Sequence, residues 1–316
     1  MRRLSILLAL LGVGAVVAIV ARLGAASVWD AVSAVGWTGF GLLLLWQGVL
    51  FGVLGAAWAA ALPGVRLAVL VRGRMVRDAA TTCLPFSPVG GYVVGARALT
   101  LHGVAWPEAA AGTVVDVTGE VAAQLVFSLF GVAVLLLMHP GSGLAGPALL
   151  AVGVAGAGLG TAIWQRHRIG RVLQALGRRL LGDWFAARGG VAPLQAALTR
   201  LFVPGRIMLG TAGHLAGWVI TGVGTWVALR LLGADVDLVP VVALEALLDA
   251  LVAAAFVVPG AAGVQEAGYI GLGALFGVPA ELALGVSLLR RARDLVWGVP
   301  ILLAWQLREV RRLRRA

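Results

Sequence analysis

The sequence lacks lysine and is poor in cysteine. All 25 basic residues of the 316-residue chain are arginine. Walker A nucleotide hydrolysis and Schiff-base chemistry each depend on a lysine, so the sequence excludes both mechanisms. Cys83 is the single cysteine, which excludes an internal disulfide and any thiolate metal cluster.

Charge is also scarce. Charged residues make up 12% of the chain, hydrophobic residues 60%, and the mean hydropathy is +0.98. This composition is typical of a polytopic membrane protein. The net charge of +11 indicates arginine-rich loops that contact an anionic lipid surface rather than nucleic acid. The sequence contains no GxSxG or comparable catalytic motif, and its four histidines lack metal-ligand spacing. We therefore expect no enzyme activity, no cofactor and no metal.

Apolar runs predict an all-α membrane protein with about six full spans. The runs cover residues 4–20, 36–62, 109–138, 144–164, 207–232 and 282–307. We expect the first run to be retained rather than cleaved, because the segments after it are also apolar. Residues 166–202 place apolar side chains on one helical face and arginines on the other. This pattern predicts a helix that lies in the cytoplasmic interface.

Two further segments contain proline and glycine within apolar sequence. The first, LPFSPVGGY, holds Pro85, Gly90 and Gly91, and the second, PGAAGVQE, begins at Pro259 and includes Gly263. An offset of 174 residues superimposes the two prolines and aligns LHGV (101–104) with LFGV (275–278). We interpret the chain as one membrane domain built from two repeats, residues 1–140 and 141–316.

The arginine distribution decides between two topologies. If both breaks are re-entrant and the N-terminus is cytoplasmic, segments 1–3, 65–78, 166–206 and 308–316 all face the cytoplasm. These segments hold nineteen of the 25 arginines, as the positive-inside rule requires. The sequence therefore predicts two re-entrant broken helices, an inverted repeat and cytoplasmic termini. Gly90 and Gly91 are expected to form a tight tip near the midplane, because glycine adopts strained backbone conformations.

Ionisable residues cluster around both breaks, within apolar sequence. A charged residue in a span is costly, so it normally faces the bundle interior and pairs with another group. The candidates are Arg97, Asp116, Glu120, Glu245, Asp249, Glu266, Arg290, Arg291, Arg293 and Asp294. Three pairs among them are four residues apart and are therefore expected to share one helical face: Asp116 and Glu120, Glu245 and Asp249, and Arg290 and Asp294. They form either a purely stabilising ion-pair network or a polar midplane cavity that shelters a lipid head group. In such a cavity the arginines favour a phosphate, and the carboxylates favour an amine or polyol.

The segments PFSPVGGYVVGARALTLHGV and AGTVVDVTGEVAAQLVFSLFGVAVLL resemble the lysylphosphatidylglycerol synthase transmembrane-region family, whose members are flippase-like. VVPGAAGVQEAGYIGLGALFGV and LLRRARDLVWGVPILL are similar to the second break and the R-x-x-D span of that family. Nearly the whole chain takes part, and it is most similar to HpnL-type inner-membrane proteins associated with hopanoid biosynthesis. The resemblance implies a bacterial inner-membrane protein that moves or binds a hopanoid, polyprenyl-linked or phospholipid substrate.

Two other functions stay open. The chain could be a non-catalytic membrane partner of hopanoid-biosynthesis enzymes, which a pull-down without transport would favour. It could also be a polyprenyl-diphosphate phosphatase, since LPFSP is similar to the re-entrant motif of those enzymes. However, Pro88 replaces the second serine of that motif, and PGAAG lacks the serine and arginine of the second loop.

Overall fold

The computed structural model describes residues 25–83, 87–141, 192–255, 261 and 263–315, together with 143, 146, 149–150, 153, 156–158 and 160–161. Nine continuous helices lie within these residues. They are α1 (Ala25–Ala61), α2 (Leu67–Cys83), α3 (Ser87–Thr100), α4 (Trp106–Met138), α5 (Ala192–Leu201), α6 (Pro204–Leu231), α7 (Leu238–Ala254), α8 (Val264–Leu275) and α9 (Ala280–Arg315). The described part of the chain contains no strand. The expected all-α class is therefore confirmed.

Within the described part of the chain, three helices are long and apolar enough to cross a membrane. They cover Trp29–Ala61, Trp106–Met138 and Pro204–Leu231, and they match the predicted spans 36–62, 109–138 and 207–232. The backbone of α1 leaves helical geometry at Gly36, where φ is +69°, so α1 has a kink at the residue where that span was predicted to start. The predicted span 4–20 and most of the predicted interfacial helix lie outside the described residues.

The long helices α1 and α6 pack against each other in antiparallel directions. Gly39 of α1 lies beside Leu231 at the end of α6, and Ala57 near the end of α1 lies beside Gly213 in the first half of α6. Between these points, the indole Nε1 of Trp46 donates a hydrogen bond of 2.9 Å to the carbonyl of Ile220. A Cβ atom at Gly213 would lie 2.8 Å from the Ala57 Cβ, so glycine permits the close approach at this end.

Each break separates two helices that fold back on each other. α2 and α3 form the first hairpin, in which Leu99 packs on Gly73 and Gly95 packs on Arg77. α7 and α8 form the second hairpin, in which Gly268 packs on Leu248. The connecting residues 84–86 and 256–260, which include Pro85 and Pro259, lie outside the described residues. A separate apolar core surrounds each hairpin, one containing Trp58, Leu70 and Leu99 and the other Leu244, Leu248 and Tyr269.

The structure corrects the prediction that Gly90 and Gly91 form the tip of the first hairpin. Both residues lie in α3, which begins at Ser87, and neither has a positive φ. Gly91 is required for space instead, because a Cβ there would lie 2.0 Å from Thr81 Oγ1 and 2.9 Å from the carbonyl oxygen of Arg77. Pro88 is tolerated because the first turn of a helix leaves its amides unbonded.

The structure also corrects the prediction of an arginine-rich surface loop over residues 65–78. Residues from Leu67 onward belong to α2, the first arm of the hairpin. Arg74 and Arg77 are buried in that helix, whereas Arg66 and Arg72 are exposed. Two of the nineteen arginines used to predict the topology therefore neutralise buried carboxylates and do not report a cytoplasmic surface.

We expect Gly91→Leu to separate α3 from α2 and to lower the free energy of unfolding by about 1–3 kcal/mol, the usual cost of overpacking. Gly41→Leu is the matched control, because a Cβ at Gly41 meets no atom within 4 Å. Thermal unfolding of both variants in detergent measures the difference. Equal melting temperatures of the Gly91→Leu and Gly41→Leu variants would show that α2 and α3 leave room for a side chain at position 91.

Candidate functional site

Arg77 of α2 is the centre of a buried ion cluster, which we call the first cluster. Its Nη1 donates to Asp116 Oδ2 at 2.7 Å, and its Nη2 donates to Glu120 of α4. The Arg77 side chain is 3% exposed and that of Asp116 is fully buried. The predicted placement of Asp116 and Glu120 on one helical face is therefore confirmed, because a single guanidinium reaches both carboxylates.

The first cluster contains three more ionisable groups. Arg74 Nε donates to Asp78 at 2.9 Å, and Arg74 Nη2 donates to Glu120 Oε1 at 3.1 Å. His214 of α6 lies on the opposite side, with its Nε2 2.9 Å from Asp116 Oδ1. The cluster thus joins the first hairpin to two of the long helices.

The second cluster is built around Arg290 of α9. Its Nη1 donates to Glu245 Oε2 at 2.8 Å and to the Tyr269 hydroxyl at 3.1 Å, and its Nη2 donates to Asp249 at 3.4 Å. Glu245 is fully buried and also accepts hydrogen bonds from Thr225 at 2.8 Å and from Tyr269. The predicted i, i+4 pair of carboxylates on α7 therefore binds one guanidinium from α9.

A third set of polar contacts fixes the start of α8 near the second break. Gly263 has a φ of +82° and caps α8, and its amide donates to Glu266 Oε2 at 2.7 Å. Arg291 then donates to Glu266 Oε1 and to the carbonyl oxygen of Ala261, each at 3.2 Å. Glu266 and Arg291, both sequence candidates, thus hold the second arm of the hairpin on α9.

A cleft of about 160 Å³ lies between the two clusters. Its ionisable lining consists of three arginines and three carboxylates, and uncharged polar and aromatic side chains complete it. The lining includes Arg74, Asp78, Glu120, Arg290, Arg293, Asp294, Gln47, Thr82, Thr221, Trp218 and Trp297. The cleft therefore presents both signs of charge, from α2, α4 and α9, beside aromatic surface.

The structure brings some of the sequence candidates to this cleft and leaves others elsewhere. Glu120, Arg290, Arg293 and Asp294 line it, whereas Asp116, Glu245 and Asp249 lie in the clusters and are not part of the lining. Arg97 is 45% exposed and pairs with Glu309 at 2.6 Å, so it belongs to neither cluster. Arg293 and Asp294 pair with each other at 2.8 Å.

Sequence reasoning missed Arg74, Arg77, Asp78, Tyr269 and His214. The arginines were assigned to a loop because no apolar run surrounds them. The available signal was spacing: Arg74 stands three residues before Arg77 and four before Asp78. Residues three or four apart lie on the same face of a helix. His214 offered no signal, because its partner Asp116 is 98 residues away.

The chemistry of the site is that of ionic binding. Guanidinium groups can bind a phosphate through paired hydrogen bonds, and the carboxylates can bind an amine or hydroxyl. Among the residues that the structure describes, no group of three histidine, cysteine, aspartate or glutamate side chains could hold a metal ion.

A family model described as the lysylphosphatidylglycerol synthase TM region matches residues 4–302. The match includes both hairpins, all of α1 to α8, and the ionic clusters. No curated protein and no solved structure matches the chain.

We expect Arg77→Met to lower the free energy of unfolding by about 3–5 kcal/mol, because it removes the only guanidinium that contacts buried Asp116 among the described residues and leaves Glu120 with Arg74 alone. Arg97→Met removes the same side chain from the exposed pair with Glu309 and should cost about 0–1 kcal/mol. Thermal unfolding in detergent compares the two variants. Similar losses would contradict a special role for the buried pair.

Proposed function

The chain belongs to the lysylphosphatidylglycerol synthase transmembrane-region family and is a multi-pass membrane protein; from this premise we propose that it is a lipid flippase of the bacterial inner membrane. Its substrate is a hopanoid, polyprenyl-linked lipid or phospholipid whose head group enters the cleft. The protein acts as a transporter and not as an enzyme. Its partners are membrane lipids and, if it is of the HpnL type, proteins of hopanoid biosynthesis.

The observation that carries this proposal is the cleft lined by both signs of charge. Polar cavities within a membrane protein are costly, and they normally mark the path of a substrate or ion. Arg74, Arg290 and Arg293 supply donors for a phosphate, and Asp78 and Asp294 supply acceptors for an amine or hydroxyl. Trp218 and Trp297 provide an apolar wall beside these groups.

We further propose that the protein is an inverted repeat with six full spans and two re-entrant hairpins. The contacts of α1 with α6 support this arrangement. At the 174-residue offset, position 39 corresponds to position 213 and position 57 corresponds to position 231. The contact Gly39–Leu231 is therefore the repeat counterpart of the contact Ala57–Gly213. Such exchange is expected when a two-fold axis in the membrane plane relates two halves.

We expect Thr221→Trp to abolish lipid movement by filling the cleft, while the protein still folds. Purified protein is reconstituted into liposomes with fluorescent phospholipid, hopanoid or polyprenyl-phosphate probes, and the fraction of probe accessible to an external quencher is followed. Thr199→Trp on the exposed face of α5 is the matched control and should retain wild-type rates.

The liposome assay also distinguishes the proposal from its alternatives. If wild-type protein moves no probe faster than empty liposomes, the flippase proposal is wrong. Release of phosphate from a polyprenyl diphosphate added to the same liposomes would instead identify a phosphatase.

The topology has a separate test in a variant without its natural cysteine. We expect Arg66→Cys, at the open end of the first hairpin, to react with a membrane-impermeant maleimide only from the cytoplasmic side. Asp235→Cys, beside the open end of the second hairpin, should react only from the outside. Both are made in a Cys83→Ala background, which alone should not react. Labelling of the two positions from the same side would contradict the inverted repeat.

A further inference from the structure

His214 is a buried histidine with one unused nitrogen. The residue is 1% exposed, and its Nε2 lies 2.9 Å from Asp116 Oδ1. Its Nδ1 has no hydrogen-bond partner among the residues that the structure describes. Buried polar atoms are nearly always hydrogen-bonded, so an exception calls for an explanation.

The contact with Asp116 fixes the tautomer of the neutral imidazole. A carboxylate oxygen can only accept a hydrogen bond, so Nε2 must carry the hydrogen. The unpartnered Nδ1 then holds a lone pair and is the atom at which a proton can bind. Histidine is the side chain whose ordinary pKa allows it to change charge between pH 5 and 8.

The formal charges of the first cluster do not balance when His214 is neutral. With its carboxylates ionised, the cluster contains two guanidinium groups, those of Arg74 and Arg77, and three carboxylates, those of Asp78, Asp116 and Glu120. It therefore has one negative charge in excess when His214 is neutral. Buried charges are stable only when they are balanced, and protonation of His214 balances this cluster.

Among the residues that the structure describes, Asp116 is the ionisable side chain hydrogen-bonded to His214, and the other charged groups on the helices around α6 lie farther away. Besides Asp116, the charged group of α4 in this region is Glu120. The charged groups of α2 that bind Glu120 and Asp116 are Arg74 and Arg77, which do not contact His214 directly. α1 faces this part of α6 with Ala57. Glu245 of α7 meets α6 at Thr225, and Arg290 and Arg293 of α9 meet it at Thr221 and Thr225. These groups are two or three helical turns from His214.

A chain of contacts links His214 to the cleft. Asp116 contacts Arg77, Arg77 contacts Glu120, and Glu120 contacts Arg74. Glu120 and Arg74 form part of the cleft wall. A positive charge on His214 would compete with Arg77 for Asp116, and Arg77 would then pair more closely with Glu120. Arg74 would in turn be freer to donate to an anion in the cleft.

We infer that His214 and Asp116 form a proton-binding site that controls how tightly the cleft binds a phosphate group. The inference rests on the proposed function, since it assigns proton control to the same cleft. The proton comes from water, binds at Nδ1 and returns to water, so no covalent bond to the lipid is formed or broken. Binding and release of this proton would make lipid transport dependent on pH.

The first experiment measures the proton directly and does not require transport. The full chain, labelled with ¹⁵N-histidine, is placed in lipid nanodiscs, and its imidazole nitrogen signals are recorded from pH 5 to pH 8. His214→Gln assigns the signal of His214 by its loss. We expect the His214 signals to change from the neutral to the doubly protonated pattern over this range. A neutral His214 throughout the range would overturn the proton site.

The second experiment measures the coupling to the cleft. The probe is dihexanoylphosphatidylglycerol below its micellar concentration, because its phosphodiester keeps one negative charge between pH 6 and pH 8. We expect wild-type protein to bind it about threefold to tenfold more tightly at pH 6, as the addition of one positive charge to the nearby cluster implies. His214→Gln should bind it equally at both pH values.

The matched control is His102→Gln. Among the described hydrogen bonds, the His102 side chain contacts only the carbonyl of Ala98, so this variant should keep the wild-type pH dependence.

If the pH dependence of binding persists in His214→Gln, the proposed coupling is wrong even where His214 titrates. Failure of lipid movement in liposomes, with both results above as expected, would overturn the flippase proposal and leave the proton site in place. The two proposals therefore fail separately.

Discussion

The structure depends on the burial of arginine among apolar helices. A guanidinium group cannot lose its charge in a protein, so it must be paired wherever it is buried. Arg77 meets this requirement with Asp116 and Glu120, and Arg290 meets it with Glu245 and Asp249. These pairs attach each hairpin to the long helix that follows it, and the cleft lies between them.

The two clusters have the same plan with the charges exchanged. In the first, Arg74 and Arg77 are on the hairpin helix α2, and the carboxylates that bind Arg77 are on the long helix α4. In the second, the carboxylates are on the hairpin helix α7 and the arginine is on the long helix α9. At the 174-residue offset, Asp116 corresponds to Arg290. The Coulomb attraction of an ion pair does not depend on which helix carries which charge, so the two halves can share this contact without sharing the residues that make it.

Several features of the site were predictable from particular residues. The acids of α4 and α7 stand four residues apart in apolar sequence, so their common face and their need for a partner follow from helix geometry. The role of Gly91 was predicted incorrectly. Glycine was taken as a source of backbone freedom, whereas at Gly91 it supplies space for a neighbouring helix. The sequence does not distinguish these two uses, because the neighbour is met only after the chain turns back.

Composition and local pattern alone determined the class of protein, the position of both breaks and the exclusion of lysine chemistry. These are properties of residues close together along the chain. Only the tertiary structure decided which arginines are buried, which acids they contact and which of them reach the cleft. Arg77 and Asp116 are 39 residues apart, and His214 is 98 residues from the same carboxylate. Such pairs are set by the packing of helix faces, which local periodicity does not specify.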